Sequence, residues 1–286
     1  MKHILASASL AALLVACGGH DDAPNAADAP EAAEASAASL KLYALDCGRI
    51  EMLDLDIFSV EGAYAGEQNS AVDTCFLIRH PEGDLVWDAG LPDALAEMED
   101  GLTNGPFKVS VPTTLLSQLE ALEVPPADVE YFSISHSHFD HTGNSNYFAG
   151  STFIVHEAER EWMFAQDDTS AFADLADAET VTFSDVYDVF GDGSVTIHPT
   201  PGHTPGHSVL LIRLENEGPV LLTGDMYHLT RARELKTVPR FNTDIDETRA
   251  SIEAFEKLAA ETGARVIIQH EADDFAELPK PPAYLD

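Results

Sequence analysis

Residues 135–143 read Ser-His-Ser-His-Phe-Asp-His-Thr-Gly, which places four side chains able to bind a metal ion, His136, His138, Asp140 and His141, within six positions. Side chains two apart on extended backbone point the same way, so His136 and His138 can grip one ion. Asp140 and His141 follow where the chain turns, displaced to one side, where they suit a second ion. Three further donors end apolar runs. His203 lies in Thr200-Pro201-Gly202-His203-Thr204-Pro205-Gly206-His207, Asp225 ends Val220-Leu221-Leu222-Thr223-Gly224-Asp225, and His270 ends Arg265-Val266-Ile267-Ile268-Gln269-His270. Taken singly, a Gly-Asp pair is an ordinary turn and a lone histidine an ordinary core or surface residue. Together with the cluster they describe a site for two ions. Donors that are all nitrogen and oxygen suit zinc, and also cobalt, manganese or iron.

Such donors can meet only if strands deliver them to a common edge. Residues 41–46 alternate weakly, and 73–79 with 84–87 form a hairpin around Pro81-Glu82-Gly83. Leucine spacing predicts a helix over 113–122, stopped by Pro125 and Pro126. A strand over 129–135 runs straight into the histidine cluster, and a strand over 152–155 precedes a helix over 157–166. In the second half, strands are expected over 195–198, 208–214 and 220–223. A long helix over 246–261, ended by Gly263, then leads to a strand over 265–269. Helices packed outside two stacked sheets bury all of these faces most simply, an α+β arrangement.

In the order and spacing of His136, His138, Asp140, His141, His203, Asp225 and His270, the chain from Leu40 onward resembles the metallo-β-lactamase superfamily. The resemblance implies an αββα sandwich, two stacked mixed β-sheets flanked by helices, with two metal ions at one edge. It assigns His136, His138 and His203 to the first ion, Asp140, His141 and His270 to the second, and Asp225 to a bridge between them. Within the superfamily the chain is most similar to the N-acyl-homoserine lactonases that degrade quorum-sensing signals. Leu42 to Ile50, Phe139 inside the cluster, and the doubled Thr-Pro-Gly-His of 200–207 carry that likeness.

The implied activity is hydrolysis of a lactone ring. Zinc is the first expectation for the metal, and two ions about 3.5–4 Å apart would lower the pKa of the attacking water. Asp140 is the implied proton carrier. One departure concerns the carbonyl. The lactonases carry a tyrosine three positions after the bridging acid; here His228 stands there, to donate the same hydrogen bond or to serve as a polar loop residue, and Tyr227 comes one place early. Tyr227 is nevertheless a substrate-binding candidate. Asp88 of Trp87-Asp88-Ala89-Gly90 either orients a ligand histidine or serves a turn. His207 is similarly open, between an orienting role and a structural one in its loop. Phe139, Met52, Leu55, Ile57 and Phe58 are candidates for the acyl pocket, the last four equally suited to core or lid packing. His156 and His198 are read as core or surface residues and His80 as a turn residue. A β-lactam hydrolase or another ester hydrolase of the same fold is the competing enzyme, and a metal-binding lipoprotein the competing non-enzyme.

Over 286 residues, 50 acids stand against 15 Lys and Arg, a net charge of −35. A surface this acidic repels phosphate backbones, which excludes nucleic acid as a partner. The chain opens with Lys2, a short apolar run over 4–16, and Leu14-Val15-Ala16-Cys17, a lipoprotein-type cleavage box with Cys17 as the lipidated residue. Residues 1–17 are therefore expected to be a signal peptide and 18–39, rich in Ala, Pro and acids, a disordered linker. The hydrolase domain is expected over 40–286, periplasmic and membrane-anchored. Cys47 and Cys75 sit at no metal-ligand spacing and are either a disulfide or two buried thiols. A homodimer is an expectation carried by the resemblance.

Overall fold

Alternation of apolar residues decides which way each strand faces. In the computed structural model, which describes residues 39–286, Leu210, Ile212 and Leu214 of one strand enter the central core. Val209 and Leu211 of the same strand enter the core behind it. The expected signal segment 1–17, its Cys17 and linker residues 18–38 lie outside the described residues.

Among the described residues the strands form two sheets. The first takes β1 (Lys41–Met52), β2 (Asn69–His80), β3 (Gly83–Trp87), β4 (Leu102–Asn104), β5 (Phe107–Ser110), β6 (Tyr131–Ser133), β7 (Thr152–His156) and β8 (Thr180–Phe183). Their spatial order is β4-β5-β1-β2-β3-β6-β7-β8. The second takes β9 (Tyr187–Asp188), β10 (Val195–Pro199), β11 (Ser208–Leu214), β12 (Gly218–Leu222) and β13 (Arg265–Ile267), in the order β13-β12-β11-β10-β9. The helices are α1 (Leu115–Ala121), α2 (Phe139–Thr142), α3 (Glu157–Phe164), α4 (Thr230–Leu235), α5 (Ile245–Thr262) and α6 (Ala272–Glu277).

Three cores stack in layers. Between the sheets, Phe76, Ile78, Leu85 and Trp87 meet Ile197, Leu210, Ile212 and Leu222. Outside the first sheet, Leu115 and Leu119 of α1 and Met163 of α3 cover Leu77, Val86, Phe132 and Phe153. Outside the second, Ile252, Phe255 and Ala259 of α5 cover Val209, Leu211 and Leu221. The result is an αββα sandwich. The spacing of that α5 stripe, three then four residues, keeps it on one helix face. Asp244 caps the helix by accepting from the Glu247 amide, and Gly263, at φ 66°, ends it. Truncating the fully buried Phe255 to alanine should cost about 3–5 kcal/mol.

Parallel pairing aligns the strand ends that matter. Trp87 of β3 is in register with Ser133 of β6, and Leu222 of β12 with Ile267 of β13. Asp225 and His270 therefore each lie three residues beyond a paired position. The strands expected to reach Ser135, Thr223 and Gln269 stop short, at Ser133, Leu222 and Ile267, because the chain leaves the ladder there to turn its donors inward. The hairpin of β4 and β5 has no counterpart among the sequence expectations. In β1 the register jumps between Asp46 and Gly48, a bulge that turns Cys47 toward the neighbouring strand. Cys47 is there bonded to Cys75, with Cα atoms 5.8 Å apart, which decides the open choice for the disulfide.

Candidate metal centre

After β6 the backbone stays extended through His138, whose ψ is 162°, then closes into the single turn of α2 that carries Asp140 and His141. His136 Nε2 and His203 Nε2 come within 2.9 and 3.0 Å of His138 Nδ1. His270 Nε2 lies 3.3 Å from His141 Nε2 and 3.9 Å from Asp140 Oδ2. Asp225 faces both groups with one oxygen each. Its Oδ2 is 3.5 Å from His136 Nε2 and 3.3 Å from His203 Nε2; its Oδ1 is 3.2 Å from His141 Nε2 and 2.9 Å from His270 Nε2. The seven sequence-chosen donors thus converge as two adjacent groups able to hold metal, His136, His138, His203 and Asp225, then Asp140, His141 and His270. Gly224 makes the approach possible: it sits at φ 50°, and a Cβ there would lie 2.7 Å from His207 Nε2 and 2.8 Å from Ser135 Cβ.

Outer hydrogen bonds fix which nitrogen of each ring faces inward. His141 Nδ1 donates to Asp88 Oδ2 at 2.9 Å, His203 Nδ1 to Asn242 Oδ1 at 2.8 Å, and His270 Nδ1 to the Val72 carbonyl at 2.8 Å. A carboxylate or carbonyl can only accept, so each Nδ1 holds a proton and Nε2 is the nitrogen that faces the site. In each group the inward ring nitrogens and carboxylate oxygens lie within 4.8 Å of one another, the crowding a cation's ligands show. Asp225 Oδ1, buried without a hydrogen-bond partner, needs the same cation. The donor set fits divalent metal.

Charge follows position. Burial, then neighbouring imidazoles, push His136 and His138 well below the ordinary histidine range, so both are neutral as ligands must be. Burial also disfavours charge on His141 and His270, yet Asp88 and Asp225 hold His141 well above its ordinary value, and Asp225 carries His270 up to about 9, so a metal ion binding there must displace the second proton of each ring. Burial works against ionisation of Asp225 and is outweighed by His228, His270 and His141, which keep its carboxyl well below the usual range.

Asp88, at φ 62°, accepts from the Ser135 amide at 2.6 Å, from His141 and from Gln269 Nε2 at 2.9 Å. It orients His141. His207 accepts from the Asp225 amide at 3.0 Å through Nε2 while its Nδ1 donates to Thr200, so it props the central acid; burial pushes its pKa down to about 3. His228 reaches the site with Nε2 2.9 Å from Asp225 Oδ2. Above the donors opens a cavity of about 320 Å³, walled by Ile50, Met52, Ile57, Phe58, Pro106, Phe107, Phe139 and Phe241 and floored by His138, Asp140, Asp225, His228 and His270. Met52, Phe58, Ile57 and Phe139 line it as expected, whereas Leu55 is packed in the core behind.

Tyr227 is a correction. Its ring is buried and turned away from the cavity, its phenol donates 2.9 Å to Glu256 Oε1 on α5, and burial raises its pKa. Adjacent residues on the turn after Asp225 face opposite sides, and His228 takes the inner one. His80 and His156 cap the amides of Glu82 and Ala158, and His198 meets Thr196, all remote from the donors. Sequence reasoning missed Asn242, Pro106, Phe107 and Phe241, which lie in segments with no periodic pattern to place them.

A profile of the Metallo-beta-lactamase superfamily matches residues 72–270, from the strand that meets His270 to His270 itself. The chain belongs to the metallo-beta-lactamase superfamily. Among members of that superfamily it is 31% identical over 262 residues to the N-acyl homoserine lactonase AttM of Azorhizobium caulinodans, covering 86% of this chain and 99% of that one. It is 33% identical over 260 residues to AttM of Rhizobium radiobacter, with 86% and 98% covered. A solved N-acyl homoserine lactone hydrolase, with the product N-hexanoyl-L-homoserine bound at its catalytic metal centre, superposes with TM-score 0.74 at 25% identity, covering 86% of this chain and 99% of that chain. An AiiA variant of Bacillus thuringiensis with N-decanoyl-L-homoserine at its active site gives 0.75 at 26%, with 86% and 99% covered.

Proposed function

We propose that this chain is a metal-dependent hydrolase that opens the lactone ring of N-acyl homoserine lactones. The observation that carries the proposal is Asp225, one oxygen toward each donor group, beneath a cavity whose wall is apolar. The relatives named for this activity support it along nearly their whole length.

His136, His138 and His203 would hold one divalent ion and Asp140, His141 and His270 the other, with Asp225 between them; zinc is the metal we favour. When bound, the pair supplies Lewis-acid polarisation of the ester carbonyl and a water of lowered pKa. The protein's own groups do the rest. Ile50, Met52, Phe58 and Phe139 would hold the acyl chain and keep bulk water from the ring. Asp140, at the cavity floor, would carry the proton to the departing ring oxygen. His228, on the same floor, would donate to the carbonyl oxygen as charge builds there.

We also read the protein as an exported lipoprotein anchored through Cys17. The buried Cys47–Cys75 bridge supports an oxidising compartment. Fractionation of cells making Cys17→Ala tests this, since loss of membrane association is the expected result.

The activity is tested by proton release from zinc- or cobalt-loaded protein given short- and long-chain N-acyl homoserine lactones, with a carbapenem as control. Metal-dependent ring opening is expected. Carbapenem hydrolysis without lactone hydrolysis would move the assignment to a β-lactamase. Two bound ions with neither reaction would leave a metal-binding protein.

A further inference from the structure

Glu159 is the third residue of α3 and is 1% exposed. An acid at this position commonly turns back to the amide of the helix-capping residue. Here it turns outward to two loops distant in sequence. Its Oε1 accepts from the Ser137 amide at 2.8 Å and the Ser137 hydroxyl at 2.6 Å. Its Oε2 accepts from the Thr204 hydroxyl at 2.6 Å and the Gly206 amide at 3.0 Å. All four donors are uncharged.

What these loops carry gives the carboxylate its meaning. Ser137 separates His136 from His138, and Thr204 follows His203. A second contact ties the same two segments: a Cβ on Gly206 would come within 2.3 Å of the Glu159 amide nitrogen and 2.6 Å of its Cβ. The second loop therefore lies flat on the first turn of α3. Between them, the two loops supply all three histidines of the first donor group. The second group is held elsewhere, His141 by Asp88 and His270 by the Val72 carbonyl.

Resting on the two-metal reading above, we infer that Glu159 is a positioning residue for the first metal site alone. It sets the separation of the His136–His138 loop from the His203 loop, and so tunes one of two adjacent affinities. A carboxylate suits the task because each oxygen can accept two hydrogen bonds at once, and it has no donor of its own to compete. Glutamine would present an amide N–H₂ to one of the two loops, each of which places a backbone N–H there, and would push that loop away.

The experiment measures zinc and cobalt affinity by chelator competition, alongside melting of the metal-free protein. It uses Glu159→Gln, Thr204→Val and Thr204→Ser, each alone and in two single-site backgrounds, His203→Ala and His270→Ala. In His270→Ala, where the first site remains, Glu159→Gln should weaken binding about 10–100-fold, the usual effect of removing a residue that orients ligands. Thr204→Val should weaken it less, and Thr204→Ser, which keeps the hydroxyl, should restore it. In His203→Ala, where the second site remains, none of the three should change affinity more than about twofold. Equal losses at both sites, tracking the fall in melting temperature, would overturn the inference and make Glu159 a general brace. The Thr204 pair decides the matter if Glu159→Gln does not fold. Wild-type protein binding fewer than two ions would instead overturn the two-metal reading itself.

Discussion

The floor and the wall of the cavity are built on opposite principles. Beneath the cavity the donors are polar, and three of the histidines are held from two sides. His141, His203 and His270 each have one nitrogen fixed outward by an acceptor while the other faces the site. The wall is apolar, and beyond Ile50 and Met52 of β1 and Phe139 of α2 much of it comes from connections and a short hairpin: Ile57 and Phe58 from the segment after β1, Pro106 and Phe107 from the β4–β5 hairpin, Phe241 from the stretch before α5. The segment over 54–68 is pinned from outside by ion pairs, Arg231–Glu67 at 2.6 Å, Arg240–Asp56 at 2.7 Å and Arg249–Glu61 at 2.8 Å. A chain with 15 basic residues thus commits three to one strap. Chemistry sits where backbone register fixes it, and selectivity sits where surface interactions can adjust it.

The sharpest way to break that contrast is at its centre. Asp225→Ala should lower lactone turnover by more than about 10³-fold, beyond the loss of a single transition-state hydrogen bond; a residual rate within tenfold of wild type would show that the floor does not act as a unit. Next comes metal removal. Chelation should abolish turnover and, for two ions each present at about 100 times its Kd, lower the melting temperature by about 10–20 °C in calorimetry. A change confined to the wall should behave differently. Phe139→Ala, at a side chain 48% exposed, should raise KM for a decanoyl substrate about fivefold and leave kcat within twofold. A matching fall in kcat would place Phe139 in the chemistry instead. Least of all, Arg249→Ala should cost under about 1 kcal/mol in urea titration, since exposed ion pairs contribute little; added salt should mimic it, and a larger loss would show the strap to be structural.

The same division governs what could be read from sequence. The seven donors announced themselves because histidines and acids at strand ends are rarely so dense, and the alternating runs that carry them fixed the two sheets. The long α5 was visible as a run closed by Gly263, with each end misjudged by a single residue. Phe241 could not be found, because a loop residue's direction depends on what it packs against and not on its neighbours in the chain, and Phe107 opens a strand too short to show an alternating pattern. Tyr227 shows the limit at one position: the resemblance called for a tyrosine near the acid, yet a single residue's offset on a tight turn sent it to Glu256 and gave His228 the cavity. Glu159 drew no reading from the sequence, since the donors that hold it come from segments folded onto α3 from either side.

The parallel register of β12 and β13 also limits how this sequence can change length. Asp225 and His270 stand equally far past Leu222 and Ile267, so their meeting is a matter of counting. One residue gained or lost within either strand or its exit would shift a donor by about 3.3 Å and turn it to the opposite face of the sheet. Point substitutions along those strands can be absorbed by repacking; insertions and deletions cannot. Descendants of this chain should therefore vary in length only where no ladder is being counted, as in the connections ahead of β4 and after α3, while the two approach segments keep their spacing whatever their composition.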